Sequence, residues 1–354
     1  MRRMEKNAKI YVAGHRGLVG SAIWNNLVAK GYTNLIGRTS KELDLMNSIA
    51  VARFFEEEQP EYVFLAAAHV GGIVANNTYR ADFIYRNLQI QNNVIGESWR
   101  SGVKKLLFLG STCIYPKEAP QPMTEDALLT GPLEYTNEPY AIAKIAGLKM
   151  CESFNLQYGT NFIAVMPTNL YGPNDNFDLE KSHVLPAIVR KLHLAKALMA
   201  GNWDLIRKDL NTRPIESVSG DESVEVITEI LHKYGITDKQ LSLWGTGKPL
   251  REFLWSEEMA DACVYLMERL DFKDINGHLN IGTGKEISIR DLAFLIKEKI
   301  GYSGDILFDD SKPDGTMRKL TDVSKLNSLG WRHSIEIDEG VERIYNWYIE
   351  NWYN

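Results

Sequence analysis

Three residues, Ser111, Tyr140 and Lys144, have the types and chain order needed to move a proton to or from a carbonyl oxygen. Tyr140-Ala141-Ile142-Ala143-Lys144 is Y-x-x-x-K on a segment with helical periodicity, which puts the phenol and the ammonium on one face, one turn apart. A cation beside a phenol favours the phenolate and lowers its pKa, so proton exchange near neutral pH becomes feasible. The pattern alone is common, and on an arbitrary helix it is surface. Ser111 makes the difference: it follows an apolar strand in Leu109-Gly110-Ser111-Thr112-Cys113-Ile114-Tyr115-Pro116 and offers a hydroxyl to orient the same oxygen. Cys113 stands two residues further on. A cysteine at a strand end is ordinarily a small buried apolar residue, but beside a reaction centre its thiolate is a base for a carbon acid. His183, in Ser182-His183-Val184-Leu185-Pro186, opens a later region after a loop; alone it reads as a capping or surface histidine. His69 lies in an apolar loop, and Cys151 and Cys263 fall on apolar helix faces and read as core.

A second feature supplies a partner for that cluster. Gly14-His15-Arg16-Gly17-Leu18-Val19-Gly20 follows the strand pattern Ile10-Tyr11-Val12-Ala13 and opens a helix. Glycines there permit a tight turn, close approach of a pyrophosphate to backbone N–H groups, and close helix–strand packing. A bare glycine triplet is weak, but its place after the first strand makes a dinucleotide site the better reading than a structural turn. After the second strand, Gly37-Arg38-Thr39-Ser40-Lys41 has no carboxylate until Glu42, and Arg16 lies in the glycine loop. Arginines and hydroxyls near the adenosine ribose suit a 2′-phosphate, so NADP(H) is expected; the alternative is that Arg38 and Lys41 are solvated surface charges. Lys144 would then also hydrogen-bond the nicotinamide ribose.

The elements that must position these groups are legible as periodicities. Short apolar runs at Ile10–Ala13, Asn34–Gly37, Tyr62–Ala66, Lys105–Leu109 and Phe162–Met166 alternate with helical patterns at Leu18–Lys30, Ser48–Glu58, about Tyr79–Ser101 and about Tyr140–Tyr158. The expectation is an α/β fold with a doubly wound parallel sheet of Rossmann type, ligands lying at the carboxyl ends of its strands. This domain covers residues 1–172, with about 251–280 returning to it. Residues 173–354 form mainly a smaller α+β substrate domain, with the cations Arg190, Lys191, Arg251, Lys312 and Arg318 near turns. A helical excursion at about 196–240 contains Ser219 and Glu222 at capping-box spacing before an apolar repeat.

Composition bounds the rest. The 354 residues are 44% hydrophobic and 24% charged, a globular balance, and the net charge of −6 gives no general field for nucleic acid or an anionic membrane. Three cysteines are too few for a disulfide framework or a zinc site, so no metal is expected. The N-terminus lacks the apolar stretch of a signal peptide and nothing downstream resembles a membrane span, so a cytoplasmic location is the default.

Longer stretches around Gly14–Gly20, His69–Thr78, Ser111–Pro116, Asn137–Lys144, Met166–Pro173, Ser182–Pro186, Trp244–Phe253 and Ser311–Thr316 resemble the GDP-L-fucose synthases among the extended short-chain dehydrogenases/reductases. The resemblance covers nearly the whole chain apart from 196–240. It implies a two-stage enzyme: GDP-4-keto-6-deoxy-D-mannose is epimerised at C3 and C5, then reduced at C4 by NADPH. It implies Cys113 as base, His183 as acid, and Tyr140 as proton donor supported by Ser111 and Lys144. It implies cofactor contacts at Gly14, His15, Arg16, Gly17, Leu18, Val19, Gly20, Arg38, Ser40, Leu109, Gly110, Ser111 and Thr112, and further ones at Lys144, Pro167, Thr168, Asn169, Leu170 and His183. Lys191, Trp244, Arg251 and Asp314 match positions that contact the GDP-sugar, and the family pairs as a homodimer through helices of the cofactor domain. Where the family often carries a second arginine after strand two, this chain has Ser40. The nearest alternatives are another nucleotide-sugar enzyme of the fold, such as a UDP-hexose 4-epimerase, which needs neither Cys113 nor His183, and a non-catalytic Rossmann binding protein, which has no use for the whole Ser/Tyr/Lys set.

Overall fold

Apolar runs that cannot stay in water stack here as a sheet covered on both faces. The computed structural model describes residues 4–352. The chain begins with β1 (Ile10–Ala13), α1 (Leu18–Ala29), β2 (Leu35–Ile36), α2 (Ser48–Glu58) and β3 (Tyr62–Leu65). Next come α3 (Ile73–Thr78), α4 (Arg80–Arg100), β4 (Lys105–Leu109), α5 (Glu138–Tyr158), β5 (Phe162–Pro167) and β6 (Asn169–Tyr171). The middle holds α6 (Val184–Met199), α7 (Trp203–Thr212), α8 (Val224–Lys233), β7 (Gln240–Trp244), β8 (Leu250–Arg251) and β9 (Phe253–Trp255). The chain closes with α9 (Ser256–Arg269), α10 (Phe272–Ile275), β10 (Leu279–Ile281), β11 (Ile287–Ser288) and α11 (Ile289–Ile300), then β12 (Asp305–Asp309), β13 (Arg318–Lys319), α12 (Ser324–Ser328) and α13 (Ile337–Trp352). Residues 4–170, 253–284 and 320–334 form one compact unit; residues 171–252, 285–319 and 335–352 form a second.

The first unit is built on a six-stranded parallel sheet of order β10-β5-β4-β3-β1-β2. Successive side chains of a strand point to opposite faces. Ile10, Val12, Phe64, Leu107, Ile163 and Val165 meet α1 and α9 on one side. Tyr11, Val63, Leu106, Phe108 and Ala164 meet α2, α4 and α5 on the other. That is why the strands read as unbroken apolar runs. Chain order reverses between β1 and β3, the switch point at whose carboxyl side a nucleotide is held in such sheets. In the second unit β7 pairs with β12 in parallel, and β8 pairs with β11 and β13.

The helix expected at about Tyr79–Ser101 is α4, Arg80–Arg100, and Tyr79 (φ −104°, ψ 44°) separates it from the short α3. Two local expectations are corrected. Ser219 does not cap the helix of the excursion. Gly220 lies so close to α7 that a Cβ would stand 1.9 Å from the Arg207 carbonyl oxygen, and Arg207 donates to the Gly220 carbonyl. The stretch is thus pinned as a loop, and α8 starts only after Ser223, whose hydroxyl accepts from the Val226 N–H at 3.3 Å. Arg190 is not near a turn: it lies within α6, fully buried, with Nε and Nη2 donating to Asp209 Oδ1 at 3.0 and 2.7 Å. The Tyr348 hydroxyl donates to the other oxygen of Asp209. Asp209→Ala would leave a buried guanidinium without its counter-charge, a loss of about 3–5 kcal/mol. Urea unfolding is expected to show a markedly lower midpoint for this variant; an unchanged midpoint contradicts the assignment.

Candidate active site

The glycine loop has the shape its sequence requires. Gly14 sits at φ +85°, where a Cβ would stand 2.8 Å from the Ala67 amide nitrogen, and a Cβ on Gly20 would stand 2.0 Å from the Gly14 carbonyl oxygen. No side chain could replace either without pushing β1, α1 and the end of β3 apart. Gly17 precedes α1 and no side chain caps that helix, so its first N–H groups remain available to an anion. His15 packs against Gly37 and against the Trp24 ring at 5.5 Å; burial first, then Arg16, keeps its imidazole below the usual histidine pKa. Arg16 and Ser40 are exposed. Arg38 donates to Glu58 Oε1 at 2.6 Å and to the Gly37 carbonyl at 3.0 Å. Glu42 turns back onto the Thr39 N–H and hydroxyl, both at 2.7 Å, instead of facing outward as a ribose acceptor. The cradle fits a dinucleotide.

From the end of β4 the backbone passes through Gly110, where a Cβ would collide with Met166 Sδ at 2.3 Å. Ser111 follows in extended geometry and caps the short 3-10 turn Thr112–Ile114, its hydroxyl accepting from the Cys113 N–H at 3.3 Å. Ser111 and Cys113 thus share one rigid turn, with the thiol buried. Lys144, fully enclosed on α5, donates to the Leu109 carbonyl at 2.8 Å and stands 5.6 Å from the Tyr140 ring centroid. Cys113 acts electrostatically on both Tyr140 and Lys144. The four side chains are therefore brought together. Burial pushes the Tyr140 phenol above its ordinary pKa, with the Cys113 charge adding to the effect. This differs from the expectation of a lowered value, because loss of water raises it. A phenol that keeps its proton at neutral pH is a donor in waiting. Burial draws Lys144 down to about 8. If its charge supports proton donation by Tyr140, kcat/KM for carbonyl reduction should fall as pH rises through about 8. A profile flat to pH 10 would remove that role.

Supporting residues carry no motif and were missed. Gln91 of α4 donates to the Ala143 carbonyl at 2.6 Å, fixing α5 between Tyr140 and Lys144. Asn87 accepts from the His69 N–H and donates to the His69 and Phe83 carbonyls. Phe83 stands edge-on to Tyr140 at 6.4 Å, and His69 packs on Phe83 at 4.7 Å. Tyr115, which ends the Ser111–Cys113 turn, donates to Asn280 at 2.5 Å and meets His278 at 3.0 Å. Cys151 and Cys263 are buried in the core, as their helix faces suggested.

The second unit carries the remaining candidates. His183 occupies the cap position of α6, yet its ring makes no capping bond; it keeps accessible surface, while desolvation lowers its pKa. Lys191 lies two turns further along α6, and burial draws it down to about 8. The β7–β12 register sets Asp309 opposite Trp244, which is 68% exposed, with the Lys312 ammonium 5.7 Å from its ring. Asp314 accepts from the Thr246 N–H at 2.9 Å and from its hydroxyl at 2.7 Å, and the resulting anion acts on Arg251. Among the described residues no three His, Cys, Asp or Glu side chains gather as a metal site, and no helix is long and apolar enough to cross a membrane.

Known proteins resemble this chain over nearly its whole length. GDP-L-fucose synthase 1 of Arabidopsis thaliana is 52% identical over 98% of this chain and 95% of its own length. GDP-L-fucose synthase of Escherichia coli K12 is 47% identical over 97% of each. The solved structure of MlghC, a GDP-mannoheptose C4 reductase from Campylobacter jejuni with NADP bound, is 48% identical with a TM-score of 0.87, covering 98% of this chain and 99% of that one. The profile of the NAD dependent epimerase/dehydratase family matches residues 10–213 and 217–282, and the chain is a member of that family.

Proposed function

We propose that the protein converts GDP-4-keto-6-deoxy-D-mannose to GDP-L-fucose, with NADPH as reductant. The observation that carries this reading is the turn that sets Cys113 beside Tyr140 and Lys144, a base for carbon acids next to a proton donor for a carbonyl oxygen. The 4-keto group acidifies the C–H bonds at C3 and C5. Cys113 removes those protons, and His183 returns protons on the opposite side of the ring. Tyr140 then protonates the C4 oxygen, which Ser111 orients, and the Lys144 ammonium stabilises the phenolate left behind. NADPH, when bound, supplies the hydride. Its pyrophosphate is assigned to Gly14–Gly20, its 2′-phosphate to Arg16, Arg38 and Ser40, and its nicotinamide side to Leu109–Thr112, Lys144, Pro167–Leu170 and His183. Lys191, Trp244, Arg251 and Asp314 are assigned to the GDP-sugar.

The test is turnover of that substrate with NADPH and NADH side by side, in deuterated water. NADPH oxidation with deuterium at C3 and C5 of the product is the expected result; oxidation without ring labelling removes the epimerase half. A second reading is favoured by the similarity to the C. jejuni C4 reductase: reduction of a 4-keto-heptose carried on GDP, with the ring already set by another enzyme. Unlabelled reduction of that sugar would select it.

A homodimer fits the exposed face of α4 and α5, where Trp99 stacks on Tyr158 at 4.5 Å and Leu156 is 76% exposed. Light scattering of the purified chain tests this. We place the enzyme in the cytoplasm.

A further inference from the structure

The excursion at about 196–240 plays no part in the chemistry just proposed, yet it ends beside a residue assigned to the substrate. Lys191 is desolvated, and among the described residues no carboxylate acts on its charge. What it faces is Tyr234, the residue after α8: the ammonium lies 5.9 Å from the ring centroid. The negative face of an aromatic ring attracts a cation at that range.

Tyr234 is held at both ends. Its N–H donates to the Ile230 and Leu231 carbonyls at 3.3 and 3.1 Å. Its hydroxyl donates to Glu216 Oε1 at 2.8 Å, and Glu216 also pairs with Lys233. Glu216 and Ser217 have positive φ (47° and 74°) in a tight loop closed by reciprocal bonds between Ile215 and Val218 at 3.1 and 2.8 Å. A non-glycine pair in this geometry is costly and persists where its surroundings hold it. Asp178 and Glu180, on the stretch leading to His183, act electrostatically on the same phenol. The excursion is itself anchored: Asp209 of α7 accepts from the buried Arg190, the residue that precedes Lys191 on α6.

An ammonium stripped of water and given a ring instead of a carboxylate is prepared for an anionic ligand. We propose that Tyr234, tethered by Glu216, is a positioning residue that holds Lys191 for the diphosphate of the nucleotide sugar. The excursion is then a part of substrate binding. The proposal rests on the reading of the chain as a GDP-sugar enzyme.

The experiment is calorimetric titration of the full chain with GDP and, separately, with NADPH, followed by steady-state kinetics. Wild type binds both. Tyr234→Leu is expected to weaken GDP about fivefold, with KM for the GDP-sugar rising by the same factor while kcat and NADPH affinity stay within about twofold. Tyr234→Phe keeps the ring and loses only the tether, so its GDP affinity falls by about twofold or less. Unchanged GDP affinity in Tyr234→Leu overturns the proposal and leaves the GDP-sugar reading standing. Failure of wild type to bind GDP while binding NADPH overturns that reading and the proposal with it. Should Tyr234→Leu not fold, Tyr234→Met, which also removes the ring and keeps an unbranched apolar side chain, carries the test: a GDP affinity equal to wild type is then the overturning result.

Discussion

Replacement of Tyr140 by phenylalanine is expected to lower kcat for carbonyl reduction by about 10²–10⁴-fold, the usual contribution of a positioned proton donor. The ring would still pack edge-on to Phe83, and Lys144 would keep its bond to the Leu109 carbonyl, so the site loses an oxygen and not its architecture. NADPH affinity should therefore stay within about twofold, since none of the glycine-loop contacts involves the phenol. The discriminating measurement is single-turnover reduction under saturating substrate, which separates chemistry from binding. A variant that reduces its substrate at the wild-type rate would transfer the donor role to another group, and the proposed mechanism would fail at its last step.

Cys113→Ser is the companion experiment, with an effect of about 10²–10⁴-fold on a different step. A serine hydroxyl fits the volume of the thiol but is far too weak an acid to serve as an alkoxide base near neutral pH. Exchange of ring protons at C3 and C5 with solvent should fall by that factor, while a substrate whose ring is already epimerised should still be reduced. The wild-type thiol lies on the turn whose first residue, Ser111, accepts from the Cys113 N–H, so that backbone bond survives the substitution. Persistence of exchange at the normal rate would make Cys113 a packing residue, and the chain would then be a C4 reductase on the same scaffold. Tyr140→Phe and Cys113→Ser thus separate the two halves of the reaction.

Much of the site depends on local rules and was readable from residue order. A strand of four apolar residues followed by Gly14, Gly17 and Gly20 leaves little choice of backbone, because any Cβ at Gly14 or Gly20 would meet β3 or the loop itself. A tyrosine and a lysine four apart on a helix share a face wherever that helix goes, and Ser111 after a buried strand must emerge at the carboxyl edge of the sheet. The sequence by itself thus determined the parallel sheet, the cradle and the identity of the chemical groups.

Tertiary structure alone decided which charges are free and which groups are dry. Arg38 meets Glu58 across 20 positions, Arg190 meets Asp209 across 19, and Tyr115 meets Asn280 across 165; no spacing rule reaches so far. The helix start at Ser223 depended on Gly220 lying against Arg207, a contact that propensity does not encode. The direction of the Tyr140 pKa shift was decided in the same way. Its neighbours in sequence favour the phenolate, but the cost of removing a charge from water is set by everything packed around it, and that is a property of the folded chain.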